Sequence, residues 1–252
     1  MNQNKVEFSQ ISLYPTLIVR YLGIIGFSLI VASSVGAIII NSFPTIQGFG
    51  KQLCNLFNAG YEHNFPAYYS SFLLLFSALL LFLITIIERN QNGSHVLHWA
   101  FLSFLFLCFA IDEALALHER IVHPLQENLS IQKYGIFYYT WVIPGIASII
   151  IIAIIYLRFF LRLNAKIKRT FLTAAILFIA GAIGFELIEG RYDELYGQDL
   201  FYNMMVSIEE GLEMAGPIVF IWGLLFYISD SSKAVQFEFK STRNKSISDT
   251  KT

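Results

Sequence analysis

The sequence predicts an all-α integral membrane protein, a bundle of six transmembrane helices with both termini in the cytoplasm. Of its 252 residues, 56% are hydrophobic and only 14% are charged, whereas soluble domains carry about 25% charged residues. Six apolar runs are long enough to supply the roughly 20 residues that a helix needs to cross the hydrocarbon core of a bilayer. The basic residues also fall mainly on one side of the alternating connections, which predicts the orientation.

The six predicted spans come from these apolar runs, of which 71–87 contains no charged residue. Together they form one transmembrane domain over 20–229, preceded by a cytoplasmic segment, 1–19, and followed by a polar tail, 230–252. The tail lacks hydrophobic periodicity, which predicts a flexible segment. Only one connection, 42–66, is long. In chain order the spans are 20–41, 67–88, 96–117, 136–160, 170–190 and 206–229.

The charge distribution predicts how the bundle is oriented. With six spans, 13 of the 17 Lys and Arg residues lie on the side of the termini and 4 lie opposite. The positive-inside rule then places both termini in the cytoplasm. The opposite side holds 13 of the 18 acidic residues, so its formal charge is −9 against +8 on the cytoplasmic side. We expect a multi-pass protein of a cell membrane, most simply a bacterial-type inner membrane, with lipids rather than nucleic acid as neighbours.

Three predicted spans carry acidic residues at their extracytoplasmic ends. The third ends in IDEALALHERIVHP (111–124), the fifth ends in FELIEGRYDE (185–194), and the sixth begins with SIEEGLEMAGP (207–217). Spans three and five run outward and span six returns, so the three segments lie at one depth of one leaflet. Clustered carboxylates in a membrane repel each other and attract a cation or protons. The sequence therefore predicts a wet acidic pocket at this face.

Helical spacing places the ionisable residues of the third span on two stripes. At 100° per residue, Asp112, Glu119 and His123 fall within about 40° of each other. Glu113 and Arg120 share a second stripe. Both stripes assume that the helix continues to residue 123. The first stripe is the one expected to face the pocket.

The fifth span presents its acids on a face that also carries small residues. Glu186, Glu189 and Asp193 fall within about 60° of each other, on the side of Ala175 and Ala182. Small residues let membrane helices approach closely, so this face is expected to look into the bundle. We interpret the glycines and alanine of AGAIG, 180–184, as packing residues as well.

The sixth span begins with three glutamates in one and a half turns. Glu209 and Glu213 are i, i+4 neighbours on one face, and Glu210 flanks them. Pro217 cannot donate a hydrogen bond to the carbonyl of Glu213, so a kink is expected there.

Carboxylates and imidazoles from several helices can hold a divalent metal, as in di-iron and di-manganese bundle proteins. The present pattern departs from those proteins because it contains no Glu-x-x-His. Zinc, iron or manganese is the expected ion, of unspecified identity. The candidate metal ligands are Asp112, His118, Glu119, His123, Glu186, Glu189, Glu209, Glu210 and Glu213.

Three classes of function remain open at this point. The first is a metal-dependent membrane enzyme acting on a hydrophobic or lipid-linked substrate, with Glu113, Glu186 and Glu210 as the candidate catalytic acid–base groups. The second is a proton- or cation-coupled transporter, although the cytoplasmic halves of spans two, four and six are almost wholly apolar. The third is a structural or assembly subunit whose acids pair with basic residues. This class is less favoured, because two arginines cannot neutralise so many acidic residues.

Aromatic residues lie where the predicted spans meet the interfaces. FPAYYS (65–70) opens span two and YGIFYYTW (134–141) opens span four, and both are typical of an interfacial belt. The alternative is that their members wall the acidic pocket. Trp99 and Trp222 are expected to be belt or lipid contacts, and His95 and His98 to be interfacial residues on the cytoplasmic side. The five candidate wall residues are Tyr68, Tyr69, Tyr138, Tyr139 and Trp141.

Overall fold

The computed structural model describes residues 14–117, 120 and 135–231, and every regular element in this part of the chain is helical. A 3₁₀ turn, Gly135–Phe137, precedes the fifth α-helix, and a π-helix, Ala180–Phe185, joins the sixth to the seventh. The α-helices are α1 (Pro15–Ser42), α2 (Phe49–Phe57), α3 (Phe65–Asn90), α4 (Val96–Leu115), α5 (Val142–Arg162), α6 (Ala165–Ile179), α7 (Glu186–Tyr196) and α8 (Leu200–Ser231).

Six helical segments of the described chain are long and apolar enough to cross a membrane. They coincide with α1, α3, α4, α5, the continuous segment Ala165–Tyr196, and Leu200–Asp230. This confirms the predicted helical class and the number and order of the long apolar helices. The side of the membrane on which the termini lie stays a prediction.

Local sequence signals explain where two of these helices begin. Asn64 caps α3, because its Oδ1 accepts a hydrogen bond from the Ala67 backbone N–H at 3.0 Å. Asn164 caps α6 in the same way and accepts from the Ile167 N–H at 2.9 Å. A capping side chain satisfies one of the backbone donors that the first helical turn leaves unpaired. The short turn between α5 and α6 follows from the second cap.

The connection 42–66 contains a helix, α2, that the sequence interpretation did not assign. Phe49, Leu53 and Leu56 are exposed on one side of it. Its other side packs on α1, where a Cβ on Gly36 would lie 3.5 Å from the Cys54 carbonyl oxygen. Apolar residues at i, i+4 and i+7 were the signal that could have identified this short amphipathic helix.

The helix α8 is the centre of the bundle and contacts α1, α3 and α6. Two of its glycines let α6 approach closely. A Cβ on Gly216 would lie 2.8 Å from the Phe178 Cβ, and one on Gly223 would lie 2.7 Å from the Phe171 Cε1. Small residues at helix crossings are the usual device for close packing inside a membrane. The α8 helix continues without interruption through Pro217.

The helix α4 ends earlier than the sequence interpretation assumed. Its last residue is Leu115, and Ala116 adopts a left-handed conformation with φ 48°. The regular 100° spacing of α4 therefore ends at this residue, and the stripe from Asp112 to Glu119 and His123, which assumed one unbroken helix, stays a prediction. His118, Glu119 and His123 lie outside the described residues.

The π-helix changes the inward-facing positions of the fifth span. A π-turn holds more residues than an α-turn and therefore shifts the helical face by about one position. Ala182 is buried as predicted, but Ala175 is exposed and Ala174 is buried in its place. The prediction for Ala175 was wrong because it assumed a regular α-helix throughout.

At the end of the bundle where α3 ends and α4 begins, aromatic side chains from four helices form a cluster that we call the aromatic end. Trp99 is 1% exposed at its centre, with ring centroids 4.9 Å from both Phe159 and Tyr227. The prediction of an interfacial or lipid-facing Trp99 was wrong, because α4, α5, α6 and α8 converge on it. The members of the aromatic end are His95, His98, Trp99, Tyr156, Phe159, Phe171 and Tyr227.

Candidate functional site

The opposite end of the bundle brings glutamates from several elements together, and we call this group the glutamate cluster. Glu209 lies close enough to Glu186 and to Glu189 to share a proton with either carboxyl group. Glu210 interacts electrostatically with Glu213, Glu113, Glu62 and Glu189. The members are Glu62 before α3, Glu113 on α4, Glu186 and Glu189 on α7, and Glu209, Glu210 and Glu213 on α8.

Two members of the cluster are buried inside the protein. Glu189 is 1% exposed and Glu209 is 7% exposed. The Oε1 atom of Glu189 is buried and has no hydrogen-bond partner. In the described part of the chain no Lys or Arg forms an ion pair with either residue, and Arg191 pairs instead with Glu194 on the exposed side of α7. Buried carboxyls without a basic partner require bound protons or a cation.

A glycine in the π-helix sets the distance between the two helices that carry the buried acids. A Cβ on Gly181 would lie 2.8 Å from the Glu209 carbonyl oxygen and 2.8 Å from the Glu213 Cγ. No other residue type fits this approach without displacing α8. The packing role predicted for Gly181 is therefore confirmed. The π-helix ends where Glu186 begins α7, and π-turns occur frequently at functional sites.

The segment before α5 forms one wall of the cluster. Trp141 donates from Nε1 to Glu186 Oε1 at 2.9 Å. A Cβ on Gly190 would lie 3.1 Å from both Tyr138 Cβ and Tyr139 Cδ2, so this segment lies directly against α7. Of the residues that the alternative interpretation places in a pocket wall, Trp141 contacts the cluster directly, and Tyr138 and Tyr139 lie against α7. Residues 135–141 are free to make these contacts because α5 begins only at Val142.

The two tyrosines predicted as further wall residues lie elsewhere. Tyr68 is exposed, and Tyr69 donates from its hydroxyl to the Leu22 carbonyl at 2.6 Å. Both border an open apolar groove of about 460 Å³ between α1, α2 and α3, together with Phe57 and Phe72. The wall prediction was wrong for this pair because α3 turns these side chains toward α1.

At the rim of the cluster, Tyr139 joins two helices through its hydroxyl. The hydroxyl donates to Asp193 Oδ2 at 2.8 Å and lies 2.9 Å from the Tyr202 hydroxyl. Burial raises the pKa of Tyr139 well above its usual value, and the hydrogen bonds to Tyr202 and Asp193 raise it further. The Tyr139 hydroxyl therefore stays neutral at physiological pH.

The first turn of α8 is fixed at the same rim by Asp199. Its Oδ1 accepts from the Tyr202 backbone N–H at 2.9 Å, and its Oδ2 accepts from the Tyr192 hydroxyl at 2.9 Å. The backbone hydrogen bond from Tyr202 is the main reason that the pKa of Asp199 lies below its ordinary value. Asp199 thus orients the helix that carries three of the cluster glutamates.

Most of the candidate site residues predicted from the sequence lie in or beside the glutamate cluster. All three candidate catalytic residues, Glu113, Glu186 and Glu210, belong to the cluster. Asp112 is half-buried beside Glu113 on α4. Glu62 was missed because it lies in a connection and not in a span. Five candidate metal ligands belong to the cluster: Glu186, Glu189, Glu209, Glu210 and Glu213.

No set of three or more His, Cys, Asp or Glu side chains among the described residues has the arrangement of a metal site. The candidate ligands His118, Glu119 and His123 stand outside that part of the chain, so metal binding stays a prediction. The carboxyl pairs that are described can share protons between them or supply oxygen ligands to a cation.

In its described residues, the protein is helical, with six helices apolar enough to cross a membrane and a cluster of carboxyls at one end of the bundle. The chain belongs to a family described as a domain of unknown function, DUF8692, which it matches over residues 22–228. The matched region spans the six long apolar helices nearly completely and contains every member of the glutamate cluster. No curated protein and no solved structure matches the chain.

Proposed function

We propose that this protein is a multi-pass membrane enzyme whose glutamate cluster binds a divalent cation on the extracytoplasmic side and acts on a hydrophobic or lipid-linked substrate. The observation that carries the proposal is Glu189, which is buried with one carboxyl oxygen unpartnered and lies against Glu209. An orphaned carboxylate oxygen at this depth is an available ligand.

The choice of a cation follows from the energetics of the buried acids. Several carboxyls share one site, and burial disfavours their charged forms. Shared protons relieve part of this cost in the pairs that Glu209 forms with Glu186 and Glu189. A divalent cation bound in place of those protons attracts the carboxylates more strongly than the shared protons do. Carboxylate oxygens alone suit Mn²⁺, while a histidine nitrogen from His118 or His123 would favour Zn²⁺ or Fe²⁺.

The apolar side chains between the two ends of the bundle favour an enzyme over a transporter. Below the cluster, the buried side chains of α8 are all apolar, namely Met214, Pro217, Ile218, Phe220, Ile221 and Leu224. A transport route needs polar groups through the whole depth of the membrane. A site that opens at one face only is typical of chemistry on a molecule that reaches it from that face or from the lipid.

The cluster also offers the carboxyl environments that acid–base catalysis requires. Glu186, Glu210 and Glu113 are all partly buried, and Glu186 differs in accepting a hydrogen bond from the Trp141 indole at 2.9 Å. Carboxyls in different environments retain their protons to different extents. The carboxyl that keeps its proton can act as the acid, and the one that loses it can act as the base. We assign Glu186, Glu210 and Glu113 to this role, and the buried pair Glu189 and Glu209 to cation binding.

Metal analysis of the purified protein tests the cation. Protein extracted in mild detergent is loaded with Mn²⁺, Zn²⁺ or Fe²⁺, desalted, and analysed by mass spectrometry for metals. We expect a stoichiometric ion in the native protein, its loss in Glu189→Gln and Glu209→Gln, and its retention in the control Glu194→Gln. An ion content that is zero in the native protein, or equal in all four proteins, overturns the proposal.

Product analysis tests the enzymatic part. The metal-loaded protein is incubated with a radiolabelled total membrane lipid extract, and water-soluble and lipid products are separated. We expect a product that chelation abolishes and that Glu186→Gln lacks. Cation-driven proton movement in proteoliposomes without any lipid product would instead assign the cluster to transport.

A further inference from the structure

We propose that a groove along α7 binds one phospholipid, with the lipid phosphate at Arg191 and one acyl chain extending toward Gly184. The inference goes beyond the function proposed for the glutamate cluster. Its test uses protein without added metal and measures no reaction, so the two proposals can fail separately.

The groove, which we call the α7 groove, is open and has a volume of about 490 Å³. Small-molecule sites in proteins typically occupy about 300–1,000 Å³. One side of the groove is a face of the helical segment 184–195, because residues at i, i+4, i+7 and i+11 lie on one side of a helix. Ile136 of the 3₁₀ turn lines the other side. From the helical segment and Tyr196, the lining residues used below are Gly184, Ile188, Arg191, Leu195 and Tyr196.

The lining of the α7 groove changes from apolar to polar toward the end of a membrane-crossing segment. Gly184 and Ile188 lie at the inner end, and Arg191 follows seven residues after Gly184, a rise of about 10 Å. The segment that is apolar enough to cross a membrane ends at Tyr196, so Arg191 lies within about 8 Å of that end. A phospholipid has the same order, with its acyl chains inside the membrane and its phosphate at the interface.

Glu194 holds Arg191 beside the groove. Its Oε2 accepts one hydrogen bond from the Arg191 guanidinium and another from the Gly135 N–H at 2.9 Å. The second bond ties the turn that contains Ile136 to α7. A guanidinium has five N–H donors, of which the bond to Glu194 uses one. The others match the oxygens of a phosphate, which arginine binds with charge-assisted hydrogen bonds.

The charges around the groove indicate which headgroup fits. Arg191 is the one Lys or Arg among the described residues that line the groove. Asp193 and Glu194 lie on the same helix, and their carboxylates disfavour an occupant with a net negative charge. A phosphate that is joined to an ammonium group carries no net charge and still offers its oxygens to Arg191. Phosphatidylethanolamine is therefore the probe for this site.

Native mass spectrometry of the delipidated, chelator-treated protein in detergent tests the site. Phosphatidylethanolamine is titrated, and diacylglycerol with the same acyl chains is the comparison lipid. We expect one saturable phosphatidylethanolamine adduct and at least tenfold weaker binding of diacylglycerol. Arg191→Gln should weaken the phosphatidylethanolamine adduct about tenfold, the low end for loss of a charge-assisted hydrogen bond. Lys51→Gln is the matched control, because it removes an equally exposed positive charge from α2.

Gly184→Leu tests the acyl-chain end of the groove. A Cβ on Gly184 would meet nothing closer than the Ile179 carbonyl oxygen at 3.9 Å, so a larger side chain has room to enter the groove. We expect this variant to lose the lipid adduct. Gly23→Leu adds the same side chain to α1, where a Cβ would meet nothing within 4 Å, and it should bind lipid as the native protein does.

Three results would overturn the proposal: equal affinity for the two lipids, native affinity in Arg191→Gln, or an unchanged adduct in Gly184→Leu. A protein dimer that Gly184→Leu dissociates, without any lipid adduct, would instead assign the groove to a second copy of the chain. Arg191→Gln changes an exposed side chain, so it decides the question even if Gly184→Leu does not fold.

Discussion

The two ends of this helical bundle bury polar groups in opposite ways. At the aromatic end, the Tyr227 hydroxyl donates to Glu88 Oε1 at 2.7 Å and the Tyr156 hydroxyl donates to the His98 carbonyl at 2.9 Å. The glutamate cluster instead places like groups side by side and leaves an oxygen of Glu189 unpartnered. Only His95 Nδ1 is similarly orphaned among the described groups of the aromatic end.

This contrast separates a region whose buried polar groups are mostly partnered from a region whose buried carboxyls lie side by side. Aromatic rings in contact stabilise the fold through dispersion and through their preferred relative orientations, and they need no bound ion or ligand to do so. Clustered carboxyls oppose folding until protons or a cation bind, and such local cost is typical of functional sites. Changes at the aromatic end should therefore lower stability, and changes at the glutamate end should mainly alter what the site binds.

Trp99→Ala should produce the largest loss of stability. The substitution removes a fully buried ring from the contacts of α4 with α5 and α8. We expect the free energy of unfolding to fall by about 3 kcal/mol, the low end for removal of a buried tryptophan, because lipid-embedded bundles rely on packing more than on burial from water. Thermal unfolding in detergent measures the change.

Trp222→Ala is the matched control for this comparison. Trp222 is partly exposed on α8, the central helix of the bundle. Its loss should therefore change the melting temperature little. Metal content of the glutamate cluster should be unchanged in both variants. A stability loss as large for Trp222 as for Trp99 would contradict the assignment of the aromatic end as the stabilising region.

Gly181→Ala should act on the glutamate end. The added Cβ would lie 2.8 Å from the Glu209 carbonyl oxygen, so α8 must move away from the π-helix. We expect a loss of about 1–3 kcal/mol, as for other overpacked sites, together with weaker metal binding because Glu209 and Glu213 are displaced. Metal titration and thermal unfolding measure the two effects.

Gly184→Ala provides the comparison within the same π-helix. A Cβ there would meet nothing closer than the Ile179 carbonyl oxygen at 3.9 Å. Stability and metal binding should both stay near the native values. If the two glycine variants behave alike, the close approach at Gly181 is not what shapes the cluster.

Asp199→Ala should give the smallest effect, and one that depends on pH. The pKa of Asp199 is lowered in the folded protein, chiefly by the Tyr202 backbone N–H. A lowered pKa stabilises the fold fully above the unfolded-state pKa of about 3.9, and the contribution disappears as the pH falls through the folded-state value.

The difference in melting temperature between native protein and Asp199→Ala should therefore be constant at neutral pH and shrink in acid below about pH 4. Asp199→Asn, which keeps a capping oxygen, should show little pH dependence of its own. A difference that grows as the pH falls would contradict the assigned role of the Asp199 carboxylate.

The sequence by itself determined the six apolar helices and the acids at their ends. Length and hydropathy are local properties, and about 20 apolar residues specify a long apolar helix whatever lies beside it. The connectivity then placed Glu113, Glu186 and Glu210 at one depth, which made their convergence predictable without coordinates. The packing role of Gly181 followed from the same reasoning about small residues.

Only the tertiary structure decided which groups meet and which are buried. The left-handed Ala116 and the π-helix at Ala180–Phe185 break the 100° periodicity on which the predicted faces of α4 and α6 relied. Glu62, which is exposed before α3, belongs to the cluster through its electrostatic interaction with Glu210 on α8. Trp99 is buried because residues from distant helices surround it. Periodicity reports one helix at a time, whereas burial, orphaned oxygens and the Tyr139–Tyr202 hydrogen bond depend on several helices packing together.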